Sequence, residues 1–573
     1  MPRWLSRLNH LLPLRWATLG LCVVWTLAGA AGALWAGWHP LWVLPGLAGS
    51  MLGWQDLRQQ KRAILRNYPV IGHLRYLLEF IRPEMRQYFI ESDNEAAPFS
   101  RQQRSLVYQR AKGQPDKRPF GTQMDVHAHG HEWINHAIVP TQLASHDFRI
   151  TIGGGRAQPY RASVFNISAM SFGALSANAI QALNGGARKG GFMHDTGEGS
   201  ISAHHRVHGG DLVWEIGSGY FGCRDATGHF SEERFVANAM DPQVKLIEIK
   251  LSQGAKPGHG GVLPGPKVTA EIAAARGVTP GQDCVSPASH TAFATPIELL
   301  QFVDRLRQLS GGKPTGFKLC VGHPWEWFAI AKAMRQTRIL PDFIVVDGAE
   351  GGTGAAPLEF TDHVGMPLQE GLLLVHNTLV GLNLRADIRL GASGKIVSAF
   401  DIARAMALGA DWCNSARGFM FALGCIQAQS CHTGECPTGV ATQDPVRQRA
   451  LVVTDKIERV AHFHRNTLHA LQELVQAAGL HHPNQIGPQH IMRRMESGKV
   501  CLLTDHLRFM APGSLLAAER GQQPWPAEIF ARYWPRARAD AFSPRETTAD
   551  PTPSAREETQ ESATRGAAKQ ETA

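Results

Sequence analysis

Between residues 16 and 55 the chain contains no Asp, Glu, Lys or Arg. A stretch that long without charge is not ordinary solvent-facing surface. Residues 543–573 lack the opposite: they hold no Leu, Ile, Val, Met or aromatic residue and are rich in Thr, Glu, Ala and Pro. Such a segment cannot bury enough apolar surface to offset its ordering entropy, so a disordered tail is expected over 541–573. Despite a net charge of +9 there is no dense basic run with interleaved aromatics, and nucleic acid is not an expected partner. Cysteine is sparse, at nine, and odd in number. That usage suits a reducing compartment with a metal or redox site better than a disulfide framework. Hydrophobic residues at 43% and charged residues at 19% supply a large core and exclude a collagen-like or wholly disordered chain. At roughly 150 residues per domain, the length allows three or four units.

The uncharged stretch reads as a membrane hairpin. Trp16 to Trp38 is long enough to cross the hydrocarbon as one helix. After a break at His39-Pro40, Leu41 to Trp54 is shorter, contains Pro45 and Gly46, and is expected to return as a short or tilted helix. Trp16, Trp35, Trp38, Trp42 and Trp54 fall near the segment ends, where amphipathic rings favour the interface. Arg3, Arg7 and Arg15 precede the hairpin and Arg58, Lys61, Arg62 and Arg66 follow it, which places both flanks in the cytoplasm. The expectation is a two-span anchor over 16–56 in the inner membrane, with residues 1–15 and the main domain cytoplasmic and lipid as a partner. The small residues AGAAGA at 28–33 also admit a cleaved signal peptide, but the second apolar segment and the cysteine cluster argue against export. Residues 57–150, with a helical-looking stretch at 71–89, are expected to form a helical connector packed on the main domain. That domain is assigned to 151–480, with a C-terminal extension over 481–540.

Short apolar runs alternate with helical patterns through the main domain. Strand candidates are Ser163–Ser168, Phe192–Asp195, Leu212–Ile216, Lys245–Lys250, Gly316–Val321, Phe343–Asp347, Ile388–Gly391 and Trp412–Ser415. Helical candidates between them include Ser176–Lys189, Lys267–Arg276, Pro296–Leu309, Trp325–Arg335, Leu368–Leu384 and Val397–Leu408. Alternation of this kind implies a parallel sheet in the α/β class. Eight strands with glycine-rich material after them fit a (β/α)8 TIM barrel. A doubly wound sheet is the structural alternative, weakened because no G-x-G-x-x-G stands after the first strand.

Cys425, Cys431 and Cys436 stand in GCIQAQSCHTGECPTGV. Three soft thiolates within twelve residues can converge on one centre, since Gly434 and Pro437 let the chain turn. Thiolates select iron–sulfur clusters or zinc. Zinc wants a fourth ligand, for which His432 is adjacent; three sulfurs without an obvious fourth cysteine favour a three-iron cluster. The loops expected after strands seven and eight, where barrels commonly hold phosphate, read GASGK (391–395) and SARG (415–418). Their glycines allow close backbone approach, and Lys395 and Arg417 offer positive charge. DGAEGGTGAAP (347–357) follows strand six, where it is either a tight turn or a cradle for a planar ligand or phosphate. Lys318 lies inside strand five, where a cation needs an anionic partner or an electron-rich cofactor. Met170, in NISAMSFGALS (166–176), ends strand one beside small residues that admit a flat ring.

Together NISAMSFGALS, HDTGEGS, KLSQGAKPGHGGVLPG, FKLCVG, DGAEGGTGAAP and GCIQAQSCHTGECPTGVATQDP resemble the FMN-binding synthase domain of glutamate synthase, from about Arg161 to Pro445. The whole chain resembles a stand-alone, membrane-anchored member of that family. The resemblance implies an FMN-dependent oxidoreductase with a 3Fe-4S cluster that reduces 2-iminoglutarate, formed from 2-oxoglutarate and ammonia, to L-glutamate. By motif, Cys425, Cys431 and Cys436 would ligate the cluster. Lys318 would stabilise reduced flavin. Ala169, Met170 and Ser171 would line its ring, and Gly351, Gly352, Gly391, Ser393, Gly394, Ala416 and Arg417 would surround the rest of the cofactor. Glu198, Gln253, Lys256 and Arg276 fall on substrate-pocket positions.

Three departures from the pattern bear on function. The chain starts Met1-Pro2-Arg3 rather than with a glutaminase cysteine, so ammonia is expected free or from a separate glutaminase. Val262 replaces the family's Gln before LPG, and His259 replaces an acid, which bears on the identity of the oxo acid. No nicotinamide or second iron–sulfur module is recognisable, so electrons are expected from a ferredoxin, another subunit or the membrane pool. Alternative readings are an FMN and iron–sulfur oxidoreductase acting on another 2-oxo or 2-amino acid, a non-catalytic membrane electron-transfer subunit, and a zinc-binding scaffold.

Overall fold

The computed structural model describes residues 14–93 and 98–546 of the 573. It divides into two compact units, Met1–Glu95 and Ala96–Ala573. In the first, α1 (Ala17–Trp35) and α2 (Val43–Arg58) form an antiparallel pair, followed by α3 (Gly72–Met85) and a wide turn over Arg86–Ile90. Small residues set the spacing of the pair. A side chain at Gly46 would meet Thr26 N at 2.7 Å, one at Gly49 would meet Cys22 Sγ at 2.5 Å, and one at Gly53 would meet Leu19 Cδ1 at 2.5 Å. Asp56 caps the base of the pair, accepting from Val70 N at 2.9 Å and lying 2.8 Å from His73 Nε2.

Among the described residues α1 alone, with 19 residues and a mean hydropathy of 1.8, is long and apolar enough to cross a membrane. The return helix forms, but two residues later than Leu41–Trp54 suggests. It has 16 residues and carries Asp56 and Arg58, so it does not qualify as an apolar span by itself. The expected cytoplasmic start at residues 1–13 and the tail from residue 547 onward lie outside the described residues.

The second unit is built on a closed barrel of eight parallel strands: β1 (Phe165–Ile167), β2 (His194–Asp195), β3 (Leu212–Ile216), β4 (Val244–Lys250), β5 (Thr315–Leu319), β6 (Phe343–Asp347), β7 (Arg389–Ser393) and β8 (Trp412–Ser415). Each pairs with the next, and β8 closes on β1 through Asn414 opposite Asn166. The chain therefore has the (β/α)8 barrel rather than the doubly wound sheet. Both faces of these strands are covered, so they read as nearly continuous apolar runs. Trp214 and Trp412 are fully buried, and each such burial stabilises the fold by about 1.5–3 kcal/mol.

The outer layer includes α5 (Ala177–Gly190), α6 (Glu232–Ala239), α8 (Pro296–Leu309), α9 (Pro324–Thr337), α10 (Leu368–Gly381) and α11 (Ala399–Ala407). Ser176, Thr295 and Ser398 start α5, α8 and α11 by accepting from backbone N–H groups three residues on. The β4–β5 connection is long and carries α7 (Ala270–Arg276) and the two-residue strand pair Val262–Leu263 with Cys284–Val285. After β8 come α12 (Arg417–Leu423), the cysteine loop and α13 (Val453–Ala477). α13 crosses α5 closely because Gly185 and Gly186 leave room for Ile457 and Val460.

Residues expected as one helical connector divide between the units. α4 (Arg101–Lys112) belongs to the second, where Asn466 Nδ2 donates to Arg110 O at 2.8 Å. Beyond it the chain is mostly irregular, and Glu132–Ile134 joins a small sheet with Ile491–Arg494 of the C-terminal extension.

The barrel interior is layered. An antiparallel hairpin (Arg149–Ile152 with Tyr160–Ser163) closes the end where the strands begin. There Ile152 and Ala162 pack against Met193, Val213, Leu246, Phe343, Val345 and Trp412. Two residues further along the strands the interior turns polar, as the period of two requires: Asp195, Glu248 and Asn414 line a cavity with room for about one water.

Candidate active site

The loops leaving the strand ends lock together by close backbone contacts. A side chain at Gly254 would meet Gly348 O at 1.8 Å, and Gly254 N donates to Asp347 Oδ2 at 2.9 Å, so the QGAKPG and DGAEGG loops touch. Gly197, in the left-handed region at φ +64, lets the β2 loop approach Ser171 N, where a side chain would come to 2.7 Å. Gly348 N donates to Ser393 O at 2.7 Å, and Arg417 Nη2 donates to Gly352 O at 3.2 Å. The structure thus gathers Ala169, Met170 and Ser171 beside the β2 loop, and Gly351, Gly352, Ser393, Gly394, Ala416 and Arg417 on the joined β6, β7 and β8 ends. Gly391 is different. It sits within β7, where the Trp412 indole lies 2.5 Å from the place a β-carbon would take, so its lack of a side chain serves barrel packing.

A charged cluster lies among the β2, β3 and β4 loops. Glu198 Oε2 pairs with Lys250 Nζ at 3.0 Å. Burial would raise the Glu198 pKa, but Lys250, then Lys256 and Arg276, overcome it and hold the carboxylate below its ordinary value. Gly217 and Gly261 press against this carboxylate, each leaving space that a side chain would fill to 2.8 Å from it. Lys256 Nζ donates to Gly260 O at 2.9 Å, and burial lowers its pKa. Arg276 is buried at the end of α7; its guanidinium donates to Phe172 O at 3.1 Å and lies over the Phe221 ring at 5.2 Å. Gln253 is half-buried at the turn before Lys256, its carbonyl accepting from Lys256 N at 3.3 Å.

Lys250 escaped the sequence reading, as did its support. His290 Nε2 donates to Lys250 O at 2.8 Å, and Nδ1 lies 3.1 Å from Tyr220 Oη. That hydroxyl already accepts from Thr291 N and Ala292 N, so it donates to Nδ1 and fixes the tautomer. Burial pushes the His290 pKa down to about 4, keeping the ring neutral.

Lys318 lies in the barrel interior. Its ammonium contacts Glu215 and stands 3.7 Å from Glu248 Oε1. Carboxylate oxygens of Asp195, Glu215 and Glu248 all lie within 4.8 Å of one another. Burial alone would lower the Lys318 pKa, but these acids and Asp347 drive it well above the ordinary value. Glu248 is pushed well above its ordinary value by burial and Asp195, and Asp195 is pushed up to about 7 by burial and Glu215. One ammonium cannot neutralise three buried carboxylates, so the group shares protons at neutral pH. The expected anionic partner of Lys318 is therefore present, and it belongs to β3 and β4.

The cysteine loop is pinned across the same mouth. Ser176 Oγ donates to Gly439 O at 2.7 Å, and Gln443 Nε2 donates to Gly173 O at 3.1 Å and Leu175 O at 3.0 Å. Lys267 Nζ donates to Cys431 O at 3.2 Å and His432 O at 2.9 Å. A side chain at Gly354 would meet Cys431 Cβ at 3.0 Å, which sets the loop against the DGAEGG segment. Cys425 and Cys436 are buried and Cys431 is half-buried. Burial pushes the Cys425 thiol up to about 11. At Cys436 burial acts the same way, but N–H groups of Ala441, Thr438 and Val440 and the Thr438 hydroxyl outweigh it and lower the pKa.

A tetrahedral zinc with bonds of about 2.3 Å draws its sulfurs to about 3.8 Å of one another. Among the described residues the acid trio is the one set of ligand atoms gathered within 4.8 Å, and the three sulfurs are not so gathered. His432 is exposed. Three cysteines on one loop, two of them buried, fit a thiolate-held group.

The region 147–481 matches the family model for the conserved region in glutamate synthase. Over 488 residues the chain is 38% identical to the glutamate synthase large subunit-like protein YerD of Bacillus subtilis, covering 78% of this chain and 92% of that one. It is 37% identical over 315 residues to an archaeal glutamate synthase (NADPH) of Methanocaldococcus jannaschii, covering 55% of this chain and 58% of that protein, so it spans little more than half of that relative. Among solved structures, a flavocytochrome b2 overlaps with a TM-score of 0.39 at 12% identity, covering 84% of this chain and 98% of that one; a likeness this low adds nothing to the assignment. With the family model running through every loop of the mouth, the chain belongs to the glutamate synthase family and is an oxidoreductase.

Proposed function

We propose that this chain is a glutamate synthase-type enzyme that forms L-glutamate by reducing 2-iminoglutarate, the condensation product of 2-oxoglutarate and ammonia. The observation that carries this reading is the cluster in which Lys250, Lys256 and Arg276 surround Glu198 at the barrel mouth. FMN and a 3Fe-4S cluster are its cofactors. Gly352 leaves backbone open beside Arg417, whose guanidinium suits a phosphate, while Gly394 packs against Leu368. Half-buried Ala169 and Ser171 with buried Met170 offer a wall for a flat ring, and Cys425, Cys431 and Cys436 offer three thiolates from one loop. When bound, these groups supply two-electron reduction refilled by single electrons.

The chain's own residues do the rest. The three cations bind the two carboxylates of the oxo acid and orient its keto carbon. Glu198, held ionised, accepts a hydrogen bond from ammonia and orients its lone pair toward that carbon. Lys318 stays protonated among its acids and would offer an ammonium toward a reduced cofactor. Electrons come from a ferredoxin or another subunit, and ammonia is free or supplied by a separate glutaminase. α1 and α2 anchor the chain in the inner membrane as a two-span hairpin, with the catalytic unit on the cytoplasmic side.

The test is anaerobic purification with FMN, iron and sulfide quantitation, then turnover with 2-oxoglutarate, ammonium and a chemical reductant. Glutamate is expected; its absence from fully loaded enzyme overturns the reaction assigned. Cys431→Ser is expected to lose the iron, and full iron content in that variant counts against the ligand assignment.

A second reading keeps the cofactors and changes the oxo acid. Val262, 41% exposed next to Gly261, and His259, edge-on to Phe360 at 5.2 Å, give the rim of this cluster an apolar character. Faster turnover of an apolar 2-oxo acid than of 2-oxoglutarate would favour it.

A further inference from the structure

The first unit carries an apolar surface that the α1–α2 pair does not use. Along α3 and the turn after it, Leu74, Leu77, Leu78, Ile81, Met85 and Phe89 recur at helical spacing and form one stripe. Most of it is bare: Leu74 is 49% exposed, Leu77 and Leu78 54%, and Phe89 78%. A soluble helix of this length turns such a stripe inward. Arg75, Glu79, Arg82 and Arg86 lie together to one side of it, with Arg75 paired to Glu79 at 2.9 Å, and Glu84 and Phe80 stand at its other margin. An apolar stripe flanked by charge, with low overall hydrophobicity, is the pattern of a helix that lies in a membrane interface rather than crossing it.

The flanking charge selects the kind of surface. Arg58, Lys61, Arg62 and Arg66 are all exposed and fall within nine residues, between the end of α2 and the start of α3. Arg58 and Arg62 also stand over the rings of Trp54 and Tyr76, at 4.7 Å and 4.8 Å, an arrangement that sets cation and aromatic at one level, as at headgroup depth. Four basic residues at and just beyond the end of the return helix mark an anionic lipid surface. The chain between Arg58 and Gly72 is short, so a bilayer holding α1 keeps α3 within reach of its surface.

We propose that α3 and the turn over Arg86–Ile90 lie in the plane of an anionic phospholipid surface, with Leu74, Leu77, Leu78 and Phe89 among the acyl chains and the 58–66 basic cluster on the phosphates. The occupant of the stripe is therefore lipid, and neither a second copy nor another part of this chain.

The experiment uses the full chain in nanodiscs of phosphatidylcholine alone and of phosphatidylcholine with phosphatidylglycerol, with amide hydrogen exchange followed for peptides covering 72–90. Exchange at least tenfold slower in the anionic discs is expected, returning to the zwitterionic rate in Leu77→Asp and Leu78→Asp variants. Equal exchange in the two lipid compositions, whether fast or slow, overturns the proposal; uniformly slow exchange that persists in detergent micelles assigns the stripe to a protein partner instead. None of these readouts depends on glutamate formation, so they stand apart from the reaction proposed above.

Discussion

Asp195, Glu215 and Glu248 crowd one ammonium, and the imbalance has a pH signature. Asp195 has its pKa pushed up to about 7 from an ordinary 3.8. Between those values the folded chain holds a proton that the unfolded chain has released, so this residue makes stability fall as pH rises from about 4 to about 7. The groups facing it are Glu215, Glu248 and Lys318, with Asp347 acting on the same ammonium. Urea unfolding at pH 5 and pH 7 should show Asp195→Asn losing less stability over that interval than the wild type; identical losses would refute the shared proton. If the proposed reaction holds, Lys250→Gln in the cluster at the barrel mouth removes one charge-assisted contact to the oxo acid and leaves Glu198 less well held. A contact to a charged group contributes about 1.5–3 kcal/mol, so KM for the oxo acid should rise roughly 10- to 100-fold, with kcat changing less. An unchanged KM would remove Lys250 from the binding set.

The mouth works as a set of loops held by contacts that tolerate no side chain. Gly254→Ala would place a carbon against Gly348 O, where 1.8 Å is available, and must separate the β4 and β6 loops. Overpacking of this kind costs about 1–3 kcal/mol. A lower thermal midpoint and a sharp loss of activity are expected, and a variant matching the wild type in both would show that the two loops do not need to touch. The same scale explains what sequence could and could not reveal. Leu212–Ile216, Phe343–Asp347 and Trp412–Ser415 were legible to the residue, because strands covered on both faces are apolar throughout and stop abruptly. β2 is only two residues long, and its run gives little periodicity to read. Glu215 in LVWEI and Glu248 and Lys250 in KLIEIK passed unnoticed for a different reason. A charge inside a strand reads as a solvent-facing position, and only closure of the barrel brings such positions from neighbouring strands to one point. The His290–Tyr220 brace spans 70 residues and leaves no local pattern. Gly391 both ends the strand candidate Ile388–Gly391 and opens GASGK, and the sequence does not separate the two roles, because a glycine accommodating an indole is the same letter as one that turns the chain.

For the molecule as a whole, the two compact units imply separable duties. The full chain should stay with membranes after an alkaline carbonate wash, and a chain lacking residues 1–95 should be released, as measured by fractionation. Release of the full chain would remove α1 as an anchor. The catalytic unit has its own constraint, which lies at the end of the barrel away from the chemistry. Ile152, Ala162, Phe343 and Trp412 stopper that end completely, each at or below 1% exposure. The barrel is a room with one doorway: whatever enters over the strand tips must back out the same way, so a departing molecule and its successor queue for a single exit.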